Sequence, residues 1–274
     1  MKIYITGANG FIGKNLIEFY KDHTILKHQR NTDIQAQCDW FKPDVIFHCA
    51  AEIYNPEVMF ASNIQLTHDC LEYVKEHPDV KLIYIGSSAE YGPMDRATKE
   101  TDRINPVDMY QATKGAGTLL CQGYARQYNL DIKIARVYSA YGNHEKPHRL
   151  FSKLYDAFYN DQPMTLFDGY HDFIYIKDFI RGLDILANDS DPILGDIVNF
   201  GSGTQYSNLT VLNAWQSITG RTAPVIYEDK MNKAFESKTW CCDTRYAEDV
   251  YNFKVEYTLE EGIRDLIEEK QNAE

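Results

Sequence analysis

The chain has 274 residues, 44 % hydrophobic and 25 % charged, a profile that excludes a disordered or fibrous protein and leaves ample material for a core. Forty acidic against 28 basic residues give a net charge of −12, a field that repels phosphate backbones and anionic lipid, so neither nucleic acid nor a membrane surface is an expected partner. With no apolar run near the roughly 18 residues that cross a bilayer, and no signal-peptide pattern in the opening Met1–Gly7, the expected location is cytoplasmic.

In chain order, β-branched and apolar runs predict strands at 2–6, 24–27, 45–49, 81–85 and 131–137, and helical periodicity predicts helices at 11–20, 56–76 and 108–127. Ile3–Ile5, Val45–Phe47 and Leu82–Ile85 are almost continuously apolar, as strands of a parallel sheet covered on both faces must be. This alternation predicts an α/β fold with a doubly wound parallel sheet of Rossmann type. Beyond about residue 141 the expected elements are a helix at 147–159, an extended piece at 171–176, a helix at 177–187, a strand at 196–200, a turn at 201–204 and helices at 209–219 and 258–269. The reading is a Rossmann-type sheet domain over 1–145 and a C-terminal lobe over 146–274. Residues 171–200 are expected partly to complete the sheet. No internal repeat or low-complexity linker separates the two.

The six cysteines are scattered without a Cys-x-x-Cys pair, and the eight histidines lack ligand spacing, so neither a disulfide framework nor a metal site is expected.

Three features carry chemistry. First, Gly7-Ala8-Asn9-Gly10-Phe11-Ile12-Gly13 follows the first strand and opens a helix. Glycines there permit the tight turn, close approach of a diphosphate and close helix–strand packing, and the helix N-terminus offers N–H groups to phosphate. Second, the end of the second strand, Lys27-His28-Gln29-Arg30, lacks the carboxylate that grips an adenosine ribose. Arg30 or Lys27 would welcome a 2′-phosphate, which favours NADP over NAD. Third, Tyr110 and Lys114 stand four apart on one helix face. A cation beside the phenol would lower its pKa from about 10 and make it a usable general base. Ser87 and Ser88, at the end of the fourth strand, could place a hydroxyl beside that phenol.

Together these residues resemble the extended short-chain dehydrogenase/reductase family, the NAD-dependent epimerase/dehydratase group acting on nucleotide sugars. The resemblance extends to His48-Cys49-Ala50-Ala51, Asn63, Arg136–Gly142, His171–Asp178, Asn199–Gly203 and Asp243-Thr244-Arg245. It implies Tyr110 as acid/base, Lys114 as the ribose-binding and tuning cation, and Ser87, four residues before Tyr91, as the hydroxyl partner. It further implies Gly7, Asn9, Gly10, Phe11, Ile12, Gly13, Arg30, Ala50 and Ala51 around the dinucleotide, NAD or NADP. Ser88, Ser139, Arg149, His171 and Lys238 are the implied contacts to a nucleotide-sugar substrate, and a homodimer through the helix carrying Leu119, Leu120 and Tyr124 is the implied assembly.

Departures narrow the reaction. Ser87-Ser88-Ala89 replaces the Thr-Asp-Glu of sugar 4,6-dehydratases, and Ala89 replaces the cysteine of fucose-synthase-like epimerase-reductases. His148 falls roughly where those enzymes carry a histidine acid, but a surface histidine is the better reading. His171 stands for a phosphate-gripping arginine and Ser139 for an asparagine; a neutral histidine gives up a bidentate fork, so Arg149 or Lys238 is expected to compensate. The leading expectation is a nucleotide-sugar 4-epimerase using NAD. An NADPH-dependent 4-ketoreductase comes second, and a non-catalytic dinucleotide-binding scaffold third.

Overall fold

The computed structural model describes residues 1–231 and 239–273. The first half folds as β1 (Lys2–Thr6), α1 (Phe11–Phe19), β2 (Thr24–Lys27), α2 (Ile34–Phe41), β3 (Val45–His48), α3 (Pro56–Met59), α4 (Leu66–Glu76), β4 (Lys81–Ser87), α5 (Met109–Tyr128) and β5 (Ile132–Val137). A wide π-type turn over Phe60–Gln65 joins α3 to α4, so the single helix expected at 56–76 is one rod with a bulge. The second half follows as β6 (Ser139–Tyr141), α6 (Leu150–Tyr159), β7 (Met164–Asp168), β8 (Tyr170–Tyr175), α7 (Ile176–Asn188), β9 (Asp196–Phe200), β10 (Gln205–Ser207), α8 (Asn208–Thr219), β11 (Val225–Met231), α9 (Arg245–Tyr251) and α10 (Leu259–Ala273).

Six parallel strands make the central sheet in the order β2-β1-β3-β4-β5-β9. The order reverses between β1 and β3, and it is at such a switch point, outside the carboxyl ends of the strands, that open α/β sheets bind ligands. Strand pleating sends alternate residues to opposite faces. Tyr4, Ile46, Leu82, Tyr84, Ile132 and Ile134 pack with residues of α2, α4 and α5, whereas Ile3, Ile5, Val45, Phe47, Ile83 and Ile85 pack on the other side. That second core continues without a break into Phe151, Phe173, Trp215 and Ile263, so the C-terminal residues share the sheet's own hydrophobic interior.

Of the segment expected to complete the sheet, β9 does so beside β5. The extended piece at 170–175 instead forms a separate three-stranded sheet, β10-β8-β6, and β11 pairs with β7. α2, β6, β7, β10, β11 and α9 have no counterpart in the sequence reading. α2 is short, starts where Asp33 caps the Gln35 N–H at 2.9 Å, and buries only Ile34, Cys38 and Phe41 among polar neighbours. All six cysteines are free thiols, and among the described residues no helix is long and apolar enough to cross a membrane.

Candidate active site

The glycine turn divides its labour by position. Gly7 has φ +66°, and a Cβ there would lie 2.7 Å from the Ala50 N, so only glycine lets β1 turn against the end of β3. A Cβ on Gly13 would collide with the Gly7 carbonyl oxygen and lie 2.7 Å from Ala8 Cα, which is the close helix–strand contact. At Gly10 the added atom would meet only the Gly7 oxygen, at 3.1 Å. Gly10 caps α1 with an extended backbone, and no acidic residue occupies the first turn. A bare helix N-terminus with its N–H groups unclaimed is what a diphosphate requires, so these residues fit the dinucleotide that the motif implies.

Behind the turn runs a polar brace. Thr6 Oγ1 lies 2.6 Å from His48 Nδ1, and His48 Nε2 lies 2.8 Å from Thr67 Oγ1. Thr67 donates to the Asn63 carbonyl at 2.8 Å, and Asn63 Nδ2 donates to Thr113 Oγ1 at 2.9 Å. Burial pushes His48 down to about 3, so it stays neutral. His48 and Asn63 therefore tie β1, β3, the π-type turn and α5 together.

At the end of β4 the Ser87 Oγ accepts the Ala89 N–H at 3.2 Å, which leaves its own proton free to donate. Asp108 caps α5 by accepting the Gln111 N–H at 2.8 Å, and the first turns of that helix carry Tyr110 and Lys114 over the strand end. Lys114 is buried. Its Nζ donates to the Ile85 carbonyl at 2.5 Å and lies 4.2 Å from the centre of the Tyr84 ring. Burial lowers its pKa to about 8, with the Glu90 charge opposing. The expected depression of the phenol by Lys114 is not what this geometry produces. Burial raises the pKa of Tyr110, the Ser87 hydroxyl and Arg149 oppose it, and the ammonium is turned down toward the strand.

A cavity of about 510 Å³ opens over the carboxyl edge. It brings together Gly7, Gly10, Phe11, Ile12, Gly13 and Ala51 at one end, Ser87, Ser88, Tyr110 and Lys114 in the middle, and Ser139, Arg149 and His171 beyond. Asn9, Ala50 and Arg30 do not line it: Ala50 presents its backbone to Gly7, and Arg30 is an exposed side chain. Lys238 lies outside the described residues. His171 Nδ1 sits 3.3 Å from Ser139 Oγ, and burial takes it down to about 4, so it is the neutral ring expected. Arg149 is half-exposed and 3.4 Å from a Glu145 oxygen. His148 is a surface residue that meets Tyr54 Oη at 2.7 Å across the rim.

Sequence reasoning passed over Glu145, Tyr54, Tyr170 and Trp240, which also line the cavity. Tyr170 was within reach, being next to His171. Trp240 arrives from the C-terminal segment, held by its backbone N–H donating to Gln205 Oε1 at 2.6 Å, and no local pattern announces it.

The family described as NAD dependent epimerase/dehydratase matches residues 3–201. The chain is 28 % identical to a protein named "Uncharacterized UDP-glucose epimerase YtcB" of Bacillus subtilis, over 97 % of either chain. It is 29 % identical to a UDP-glucuronate 4-epimerase of Thermodesulfobacterium geofontis, covering 82 % of this chain and 70 % of that one. Among solved structures, the UDP-glucuronic acid 4-epimerase of Bacillus cereus in complex with UDP-glucuronic acid and NAD superposes with a TM-score of 0.87 at 25 % identity, with both chains fully covered. MoeE5 in complex with UDP-glucuronic acid and NAD shares the fold with a TM-score of 0.89 at 22 % identity, again over both full chains. With the glycine turn, the Ser87/Tyr110/Lys114 set and these likenesses in hand, the chain belongs to the NAD-dependent epimerase/dehydratase family, enzymes of the extended short-chain dehydrogenase/reductase type.

Proposed function

We propose that this enzyme is an NAD-dependent epimerase that inverts C4 of a nucleotide-linked hexose or hexuronate. The observation that carries the reading is that Ser87, Tyr110 and Lys114 line one cavity with the bare N-terminus of α1. Relatives named UDP-glucose epimerase and UDP-glucuronate 4-epimerase support a UDP-sugar substrate. Dehydration is disfavoured because Ser88 and Ala89 offer no acid or base, and the one carboxylate of that turn, Glu90, is held by Ser87, Thr118 and Arg136.

When bound, NAD supplies the acceptor that takes the C4 hydride and returns it to the opposite face. Tyr110, in its phenolate form, takes the proton from the C4 hydroxyl as hydride leaves C4 and gives it back on the return, and Ser87 donates a hydrogen bond to the same oxygen. Lys114, with a pKa of about 8, keeps most of its charge at neutral pH; bound to the Ile85 carbonyl, it would hold the nicotinamide ribose rather than lower the pKa of the phenol. Arg149 faces the substrate diphosphate, and the aromatic surfaces of Tyr170 and Trp240 suit a nucleotide base.

The 4-ketoreductase reading keeps one observation: Lys27 and Arg30 are exposed cations at the end of β2, where NADPH would present its phosphate. Denaturing the purified enzyme and identifying the released dinucleotide separates the two, together with assays on UDP-glucose and UDP-glucuronate. An epimerase releases NAD and interconverts sugars without net change in reduced nicotinamide, whereas a reductase consumes NADPH. Tyr110→Phe should lower kcat by about 10²–10⁴ while dinucleotide binding persists; unchanged turnover would sink the reading. We further propose a homodimer contact on the outer face of α3, the π-type turn and α5, where Val58, Phe60 and Leu119 are exposed. Leu120 and Tyr124 pack against the core instead. Sedimentation of wild type against Leu119→Glu measures this.

A further inference from the structure

Glu90 belongs to none of the sequence motifs, yet it sits at the centre of the catalytic arrangement. Its side chain is fully buried. Oε1 accepts the Ser87 backbone N–H at 2.8 Å; Oε2 accepts the Thr118 hydroxyl at 2.8 Å and Arg136 Nε at 2.9 Å. Those three donors come from three elements: the end of β4, the turn of α5 just beyond Lys114, and β5. Arg136 in turn lies 4.5 Å from the centre of the Tyr91 ring, whose hydroxyl donates to Asn199 on β9 at 2.8 Å. Space for this is made by Gly86, where a Cβ would stand 3.0 Å from both Glu90 Oε1 and Arg136 Cγ.

A buried ion pair is a poor device for stability alone, since desolvation offsets its attraction and an apolar pair of similar volume would often do as well. What an apolar pair would not do is hold the serine strand and the tyrosine helix through one rigid group. We infer that Glu90 is a positioning residue for the proton transfer: it fixes Ser87 against the Tyr110–Lys114 helix and sets a negative charge facing both side chains. The inference rests on the assignment of Ser87, Tyr110 and Lys114 made above.

The charge has a readable consequence. Tyr110 faces Glu90 and Asp108, which disfavour the phenolate, and Arg149 and the Ser87 hydroxyl, which favour it. Lys114 faces Glu90 and the thiols of Cys49 and Cys121. Removing the Glu90 charge therefore eases ionisation of the phenol, and the acid limb of the kcat profile moves to lower pH.

The test compares full-length wild type, Glu90→Gln, Thr118→Val and Tyr110→Phe on UDP-glucose and UDP-glucuronate, alongside an NMR pH titration of ¹³C-tyrosine with the Tyr110 signal assigned by Tyr110→Phe. Thr118→Val removes only the hydroxyl link between α5 and Glu90 and keeps the side-chain volume. Both Glu90→Gln and Thr118→Val should lower kcat about tenfold with KM held within about twofold. Only Glu90→Gln should move the acid limb and the Tyr110 titration downward. Wild-type kcat and pH profile in both variants, with nothing changed but the melting temperature, would overturn the inference. Should Glu90→Gln fail to fold because Arg136 is left unpaired, Thr118→Val decides: reduced kcat at constant KM supports the positioning role, and unchanged kcat refutes it. Turnover surviving in Tyr110→Phe would instead reject the assignment of the site, while the titration of Tyr110 would still report the Glu90 charge.

Discussion

Glu145 shows how one side chain in the cavity is governed by burial. One of its oxygens is buried without a hydrogen-bond partner, and its carboxyl is pushed up to about 7, with Arg149 opposing. In the unfolded chain the same group ionises near its ordinary value of 4.5. Between those two values the unfolded state has lost a proton that the folded state retains, so this group's contribution to stability falls as pH rises, and above about 7 the cost is complete. Glu145→Gln should therefore be more stable than wild type at about pH 8, with the advantage shrinking toward pH 4.5. Thermal unfolding across that range measures it, and an advantage independent of pH would contradict the neutral buried carboxyl. Tyr110 and Lys114 teach a related lesson. Their spacing was readable from the chain, but the expectation that the lysine would depress the phenol failed, because the ammonium is drawn to the Ile85 carbonyl and the Tyr84 ring.

Among the elements, α1 depends on one glycine. Gly13 has no room for a side-chain atom, because its helix is pressed onto the backbone of the turn that precedes it. Gly13→Ala should cost about 1–3 kcal/mol by overpacking and displace the helix N-terminus from the phosphate position. Denaturant unfolding and dinucleotide titration should change together; loss of stability with unaltered affinity would argue that the turn is not the phosphate site. The strands of the central sheet were legible as β-branched and apolar runs, and α1, α5, α7, α8 and α10 because each carries its helical period over 9 to 20 residues. α2, β6, β10 and α9 were not. They run for 8, 3, 3 and 7 residues, and segments that short are held by what they pack against rather than by local pattern.

At the scale of the whole molecule, Asp172 on β8 ties the turn after β9 to the C-terminal segment around Cys242. It is fully buried and accepts the Ser202 N–H at 2.6 Å, the Ser202 hydroxyl at 2.7 Å, the Gly203 N–H at 3.0 Å and the Cys242 N–H at 2.9 Å. The family motifs around His171–Asp178 and Asn199–Gly203 thus include a structural clamp. Asp172→Ala would strand three backbone donors and should cost on the order of 3 kcal/mol. Because it loosens the segment that delivers Trp240 to the cavity, KM should rise more than kcat falls; a purely global loss of stability with unchanged KM would separate clamp from site.

From the sequence alone came the parallel sheet, the glycine turn and the Tyr110/Lys114 pair, because strand alternation, glycine's conformational range and helical spacing act over a few neighbouring residues. Which partners those residues meet was decided only by the fold. Glu90 gained its role from Thr118 and Arg136, Glu145 from its enclosure, and Trp240 from a strand 35 residues away. Burial and hydrogen bonding between distant segments depend on packing in three dimensions, and no local pattern encodes them.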